Sequence, residues 1–303
     1  MKRTPKKVDF NKPEKKPSVR KPKPDRKKEK YAKAGPLERK YVGKGKKKPR
    51  EIERASVLPR LNQYIAKAGV CSRREADELI ATGQIKLNGK VVHEMGVRVQ
   101  HDDRVEYEGR ILRGEEAKYL LLNKPKGYLS TASDDRGRKT VMDIVGKACK
   151  ERIYPVGRLD RETTGLLLFT NDGDLAKKLT HPSGNVEKIY HVFLDRPMEE
   201  EDMETAVGGI ELEDGFIKPD AIDYAADTPD GTQVGVQLHS GRNRIVRRMF
   251  EHFKYEVKKL DRVVFANLTK KDLPRGKWRF LRDKEVSMLQ QISGKTKDKT
   301  LNK

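Results

Sequence analysis

The sequence has little of what secreted, membrane-spanning or metal-binding proteins require. It contains two cysteines and six histidines in 303 residues. Cys71 and Cys149 lie far apart and form no CxxC motif, which excludes a disulfide framework and favours a reducing, cytoplasmic compartment. The histidines form neither an HxxxH nor an HExxH motif, so their spacing predicts no metal site. No apolar run approaches about 18 residues, and the N-terminus lacks the apolar centre of a signal peptide, so we expect no membrane association.

Acidic residues are scarce in the first fifty positions. Residues 1–50 hold 22 Lys and Arg against five Asp and Glu, a net charge of +17, whereas the whole chain carries +22. This segment is rich in Lys and Pro and poor in large apolar residues, so we expect residues 1–52 to form a disordered basic tail. A polycation binds nucleic acid through counterion release, although a tail that only improves solubility is the alternative. The missing apolar face disfavours binding to a membrane surface.

Helix and hairpin signals follow each other after this tail. Apolar residues first recur at helical spacing and end at a glycine, as expected for a short helix. Ser72 and Glu75 then match a capping box that begins a second helix. The dipeptide Asn88-Gly89 between two apolar segments predicts a β-hairpin with a tight turn. Together these signals predict a small folded module.

Two arginines occupy the first turn of the second helix, where the macrodipole disfavours cations. A bound phosphate would remove this conflict, because free amides and both guanidiniums would converge on it; the alternative is that both side chains point into water. The stretch RLNQYIAKAGVCSRREADELIATGQIKLNG resembles the small RNA-binding module named after ribosomal protein S-four. We assign residues 53–105 to this module. The resemblance implies contacts with structured RNA from Arg60, Arg73 and Arg74.

The pattern changes to many short apolar segments in the second half of the chain. Residues 165–170 form a continuous apolar run, typical of a strand buried on both faces, and residues 186–194 alternate like a strand with one buried face. Many strands, few helices and no strict βαβ alternation predict an α+β domain with a mainly antiparallel sheet. The predicted boundaries are a linker at 106–117, the larger domain at 118–288 and a flexible tail at 289–303.

Residues 241–253, GRNRIVRRMFEHF, predict a helix with an apolar face and a basic face. Four arginines in seven residues form a dense anion site, although a solvated basic helix is the alternative. An arginine at the edge of the apolar face needs a carboxylate partner when it is buried, and Asp160 is a candidate. Helical geometry alone does not choose between Arg247 and Arg248 as that partner.

Asp160 stands between two arginines in the stretch GRLDRETTG, just before the continuous apolar run. Taken alone, it could form a surface ion pair with Arg158 or Arg161, worth less than about 1 kcal/mol. However, GRLDRETTG, KPKG upstream, and EKIYHV and GRNRIVRRM downstream are together similar to the pseudouridine synthases. Their order resembles the RsuA/RluB branch, in which an S-four-like module precedes the catalytic domain, and is most similar to the large-subunit type.

The resemblance implies an enzyme that isomerises a uridine already in RNA, without a cofactor. Asp160 matches the essential carboxylate, which acts either as a nucleophile at the sugar or as a base toward a ribose proton. Arg247 matches the basic residue that pairs with it, and Tyr190 matches the aromatic residue that stacks on the flipped base. Arg158 matches the position that fills the vacated space or holds the backbone. Further RNA contacts are expected from Lys124, Lys188, Arg242, Asn243, Arg244 and Arg248.

The expected partner is a structured stem-loop of ribosomal RNA or a pre-ribosomal particle, bound by a monomer. A non-catalytic RNA-binding or ribosome-assembly protein is the competing hypothesis, because the tail, the module and the arginine-rich helix would all serve it. An acid in a phosphate-facing site opposes simple binding, so Asp160 together with Tyr190 and Arg247 favours catalysis. A glycosidase is disfavoured because no motif supplies a second, paired carboxylate.

Overall fold

A computed structural model of the protein describes residues 58–225 and 230–292. The basic tail predicted at residues 1–52 lies outside the described residues, as does most of the predicted C-terminal tail. Within the described ranges, no helix is long and apolar enough to cross a membrane.

The first folded module packs two helices against a small antiparallel sheet whose strands are ordered β2-β1-β3-β4. The predicted capping box is present, because the Ser72 side chain accepts from the Glu75 amide and Glu75 accepts from the Ser72 amide. Asn88 and Gly89 both have positive φ, as the predicted hairpin turn requires. The elements are α1 Leu61–Lys67, α2 Arg73–Ala81, β1 Ile85–Leu87, β2 Lys90–Val91, β3 Val105–Tyr107 and β4 Arg110–Ile111.

The boundary between this module and the predicted linker differs from the sequence analysis. Residues 106–111, assigned to the linker, belong to strands β3 and β4, and β3 pairs with β1 of the hairpin. Val105 on β3 is buried in the core of the module. The linker therefore starts only after β4. The alternation of apolar and polar residues in this segment is too short to distinguish such short strands from a loop.

A nine-stranded sheet forms the larger domain, with seven strands ordered β11-β12-β8-β13-β7-β5-β15. Among the strands of the described residues, β13 and β7 form the one parallel pair, so the predicted α+β class with a mainly antiparallel sheet is confirmed. Strands β9 and β10 form a separate hairpin. The strands are β5 Tyr119–Lys124, β6 Tyr154–Pro155, β7 Thr164–Thr170, β8 Lys188–Leu194, β9 Ile210–Leu212, β10 Gly215–Ile217, β11 Ala221–Tyr224, β12 Gln233–Leu238, β13 Val257–Phe265, β14 Leu268–Thr269 and β15 Trp278–Phe280.

Strand β7 is buried on both faces, as its continuous apolar run predicts. Leu167 and Phe169 belong to the cluster on one face of the sheet, whereas Leu166 and Leu168 belong to the cluster on the other. Helices cover both faces and leave the ends of β7, β8 and β13 free to carry a site. The helices of this domain are α3 Met142–Val145, α4 Gly173–Thr180, α5 Glu200–Gly208, α6 Ile245–His252 and α7 Asp283–Ile292, with a 3-10 turn at Pro182–Gly184.

Helix α3 is a single turn that ends at Gly146. Two other helices differ from the sequence analysis. Helix α5 is not predicted, since its first turn is acidic throughout and only Met203 and Ala206 are buried. Helix α7 extends past residue 288, and Leu289, assigned to the flexible tail, is fully buried in the core.

Candidate active site

A cavity of about 490 Å³ is lined by strands β8 and β13, the start of helix α6 and the loop before β7. Strand β13 pairs with β7 over only two residues, at Thr164 and Gly165. Gly165 has φ +107°, and a Cβ there would overlap the β13 backbone, so only glycine permits this close approach. The loop before β7 carries Asp160 into the cavity wall. The cavity thus lies beside the short parallel pairing of β7 and β13.

Lys124 holds the loop that carries Asp160. Its Nζ donates to the carbonyl oxygens of Pro125, Asp160, Arg161 and Thr163 at 2.8–3.2 Å. The side chain is fully buried, and burial lowers the pKa of its ammonium group to about 8. The predicted RNA contact from Lys124 is therefore wrong. This lysine instead holds the Asp160 loop in place by hydrogen bonds within the protein.

The carboxylate of Asp160 is half-buried and faces a guanidinium, but not the predicted one. Arg244 Nη1 lies 3.7 Å from Asp160 Oδ2, whereas no ion pair joins Asp160 to Arg247 within the described residues. The helix predicted over residues 241–253 includes Arg244 in regular helical geometry. In the structure Arg244 precedes helix α6 in a left-handed conformation, with φ 48°, and this backbone directs its side chain toward the cavity.

Arg247 lies behind this pair, within electrostatic reach of Asp160. Its Nη1 donates to the carbonyl of Val257 at 2.8 Å, which anchors the guanidinium to strand β13. Burial lowers the pKa of Arg247, and Arg244 adds to this effect, whereas the charge of Asp160 opposes it. Arg247 therefore adds positive potential near the carboxylate without a direct contact.

Tyr190 and Lys188 project from β8 into the same cavity. Tyr190 is 9% exposed, so one side of its ring is covered by the core. Lys188 Nζ donates to the carbonyls of Val186 at 2.8 Å and His239 at 2.9 Å. Burial, followed by the charge of Arg262, lowers the pKa of Lys188 to about 8. These residues place an aromatic ring and a desolvated amine in the cavity that holds Asp160.

This arrangement agrees with comparisons to known proteins. The sequence model described as RNA pseudouridylate synthase matches residues 118–252, and that of the S4 domain matches residues 59–105. The chain is 44% identical over 238 residues to the ribosomal large subunit pseudouridine synthase B of Bacillus subtilis, covering 78% of this chain and 97% of that protein. The chain belongs to the RNA pseudouridine synthase family.

Two further relatives support this assignment. The synthase is 38% identical over 230 residues to the dual-specificity RNA pseudouridine synthase RluF of Escherichia coli K12, covering 75% of this chain and 77% of that protein. A crystal structure of a pseudouridylate synthase matches with a TM-score of 0.54 and 30% identity, covering 76% of this chain and 99% of that one. The family and fold that the sequence predicts are thereby confirmed.

The arginines around helix α6 of the synthase divide between the cavity and a neighbouring turn. Arg242 Nη1 donates to Asp214 and Gly215 at the turn of the β9–β10 hairpin. Arg248 Nη2 donates to Asp214 Oδ2 at 2.8 Å, and its Nε donates to the carbonyl of Asn243. Arg242 and Arg248 therefore both bind the β9–β10 turn, and Arg242 also lines the cavity. Their contacts with RNA stay predictions.

The remaining predicted contacts of the synthase are exposed. Arg158 lines the mouth of the cavity, whereas Arg161 donates to the carbonyl of Gly127 on the outer side of the loop. In the S-four-like module Arg60, Arg73 and Arg74 are all exposed. Arg73 also lines a second cavity of about 680 Å³, between the module and helix α4, where Lys67 forms an ion pair with Asp174 at 2.7 Å.

Two buried polar residues in the cavity wall, Thr163 and Arg262, are not predicted from the sequence. Arg262 belongs to the stretch LDRVVF, where two charged residues interrupt an otherwise apolar segment of strand β13. Charges in such a strand need buried partners or a function, and this signal could have identified Arg262. Thr163 gives no comparable signal, because hydroxyl residues are common in loops.

Proposed function

We propose that this synthase converts a uridine of ribosomal RNA, most consistently large-subunit RNA, to pseudouridine. The substrate class is supported by the Bacillus subtilis relative, a protein named as a ribosomal large subunit pseudouridine synthase, which is similar along 97% of its own length. Because the Escherichia coli relative is named as a dual-specificity synthase, the class of RNA is tested by experiment below. The observation that carries the chemistry is the half-buried carboxylate of Asp160, which faces Arg244 in a cavity lined by Tyr190.

The reaction moves one bond and keeps all atoms of the nucleotide. The bond between ribose C1′ and base N1 breaks, and C1′ rejoins the base at C5, which loses its proton while N1 gains one. Asp160 serves this exchange either by attacking C1′ or by removing a ribose proton, and both roles require its ionised form. Arg244 and the nearby Arg247 place two positive charges beside this carboxylate.

The target uridine must leave its stack to reach the cavity. We assign Arg158 at the cavity mouth to the space that the base vacates or to the RNA backbone beside it, and Tyr190 to stacking on the base. The exposed Arg60, Arg73 and Arg74 would contact RNA phosphates at a distance from the reaction. Both described cysteines are unpaired, which agrees with a cytoplasmic enzyme, and we expect it to act as a monomer.

The central test is Asp160→Asn, assayed by tritium release from ribosomal RNA labelled at uridine C5. We expect loss of release, because the amide is neither a nucleophile nor a base, with RNA affinity within about tenfold, or 1.4 kcal/mol. Glu162→Gln is the matched control: it removes a carboxylate two positions away that pairs with Lys126 at the surface. Near-normal release from Asp160→Asn would refute the proposal and favour a protein that only binds RNA.

The target is then located by mapping pseudouridines in cells with and without the gene. Carbodiimide modification stops reverse transcription at pseudouridine, so a stop that disappears from large-subunit RNA identifies the site. A missing stop in small-subunit or transfer RNA alone would contradict the proposed substrate while leaving the isomerase activity intact.

A further inference from the structure

Arg262 has a guanidinium that is incompletely satisfied by the protein. It lies on strand β13, is only 3% exposed and lines the cavity that holds Asp160. Its Nε donates to the carbonyl of Leu166 at 2.8 Å, and its guanidinium carbon lies 4.6 Å from the centre of the Phe265 ring. Its Nη2 is buried and has no hydrogen-bond partner within the described residues. Buried polar groups are rarely left in this state, so a ligand is expected there.

The charge of Arg262 also lacks a carboxylate partner among the described residues. The adjacent Asp261 does not supply one, because neighbouring residues of a strand point to opposite faces. Asp261 instead pairs with Lys270 and Arg275. Arg262 is therefore a fixed positive charge at the cavity wall, held by Leu166 and Phe265.

A second buried polar atom without a partner lies in the same cavity wall. Thr163 is 2% exposed, and its Oγ1 makes no hydrogen bond within the described part of the chain. Thr163 follows Asp160 by three residues on the same loop, and both line the cavity with Arg262. Two unpartnered donors in one wall indicate a binding surface for a polar group rather than an isolated packing defect.

We propose that Arg262 Nη2 donates a hydrogen bond to a carbonyl oxygen of the target uracil. This inference rests on the proposed function, because it assigns the base to the cavity. Arg262 and Tyr190 are directly paired residues on β13 and β8. Side chains of such pairs lie on the same face about 5 Å apart at Cβ, so a base stacked on Tyr190 lies beside Arg262.

A base oxygen fits this position better than a phosphate oxygen. The flipped base enters the cavity, whereas its phosphates stay with the RNA backbone at the mouth. Exposed cations already stand at that mouth, namely Arg158 and the half-exposed Arg244. Arg262 is nearly inaccessible from solvent and lies deep in the cavity wall, where we expect the base rather than a phosphate to reach it.

This contact would contribute to both catalysis and specificity. When the bond between N1 and C1′ breaks and its electron pair stays with the base, negative charge spreads to the carbonyl oxygens. A fixed guanidinium donor binds that charge more strongly than it binds the neutral base, which lowers the barrier. If the oxygen is O4, the same donor disfavours cytosine, which presents an amino group there.

The test combines protein and substrate changes in one cycle. Wild-type enzyme and Arg262→Lys act on a ribosomal stem-loop carrying uridine, 2-thiouridine or 4-thiouridine at the target, or a phosphorothioate beside it. Conversion is followed by chromatography of the nucleosides after complete digestion. Sulfur accepts hydrogen bonds weakly, so we expect wild type to lose about tenfold in kcat with one of the two thio bases. Arg262→Lys should lose about 100-fold on uridine and show no further loss with that thio base.

Several outcomes would overturn the inference. If the loss caused by Arg262→Lys added to the loss caused by each thio base, Arg262 would not contact the base. The same conclusion would follow if Arg262→Lys were non-additive with the phosphorothioate instead. The comparison of the thio bases with the wild-type enzyme remains valid even if Arg262→Lys folds poorly. Equal wild-type rates on uridine, 2-thiouridine and 4-thiouridine would contradict the inference. Arg279→Lys is the control, because it removes a guanidinium paired with Glu285 outside the cavity. If wild type converts no uridine, the proposed function fails first and this inference falls with it.

Discussion

Replacing Lys124 by methionine should separate the support of the active-site loop from its chemistry. The Lys124 side chain is fully buried, and three of the four carbonyl oxygens that it binds belong to the loop from Asp160 to Thr163. Methionine fills a similar volume but donates no hydrogen bond. The change therefore removes the hydrogen bonds that hold the loop from inside the protein, and it keeps every proposed reacting group.

The expected loss of stability follows from two opposing contributions. The ammonium group has three N–H donors, and three hydrogen bonds from a charged donor stabilise the fold by about 4.5 kcal/mol at the low end of the usual range. Keeping the ammonium buried costs about 3 kcal/mol, judged from the fall of its pKa from 10.5 to about 8. We therefore expect Lys124→Met to lower the free energy of unfolding by about 1.5 kcal/mol at pH 7.

The pH dependence gives a second, independent signature. Because the pKa of Lys124 is lower in the folded state, the unfolded state binds more protons between about pH 8 and 10.5. Wild-type stability therefore gains a contribution from Lys124 as the pH rises through this window, and the variant lacks it. The difference between the two proteins should grow by about 2 kcal/mol from pH 7 to pH 10. Comparing the two cancels the similar contribution of Lys188.

Urea unfolding followed by circular dichroism measures both effects, and tritium release measures the activity. We expect kcat to fall by about 100-fold, since a loop displaced by 1 Å misplaces Asp160. Lys126→Met is the matched control, because Lys126 is exposed and pairs only with Glu162, and it should change stability by less than about 1 kcal/mol. An unchanged urea midpoint together with normal kcat in Lys124→Met would refute this reasoning.

Two further predictions concern the arginines. Arg244→Gln should lower kcat more than Arg248→Gln does, because Arg244 faces Asp160 whereas Arg248 is held by Asp214; equal losses in single-turnover assays would contradict this assignment. The double change Arg73→Glu with Arg74→Glu should reduce activity on structured ribosomal RNA more than on a short stem-loop, and equal losses would show that the module docks on no remote helix.

Local signals determined most of the fold. The capping box at Ser72, the Asn88-Gly89 turn and the apolar run of β7 each depend on residues within a few positions. Such patterns can be recognised in a single sequence because the physical cause is itself local. The same reasoning failed for residues 106–111, whose strands of three and two residues depend on pairing with the hairpin, and for Leu289, which is buried by distant strands.

The candidate site was less accessible to sequence reasoning because its geometry is long-range. The motif around Asp160 predicted the carboxylate, but Lys124 lies 36 residues before Asp160 and was predicted to contact RNA. Its burial becomes visible only when β5 pairs with β7. The contacts of Arg242 and Arg248 with Asp214 were likewise not predicted, because no local pattern shows that the β9–β10 turn reaches them.

The ion pair of Asp160 shows how the backbone conformation of one residue, Arg244, determines which arginine faces the carboxylate. A wheel drawn over the whole arginine-rich stretch assumes helical φ and ψ at every position, and it places Arg244 away from the cavity. Arg244 instead has φ 48° and ψ 28°, a conformation that few residues other than glycine adopt. This turn brings the guanidinium within 3.7 Å of Asp160, while Arg247 stays one turn inside the helix and binds Val257. An uncommon backbone conformation beside the proposed catalytic carboxylate is expected where function, rather than helix stability, selects the geometry.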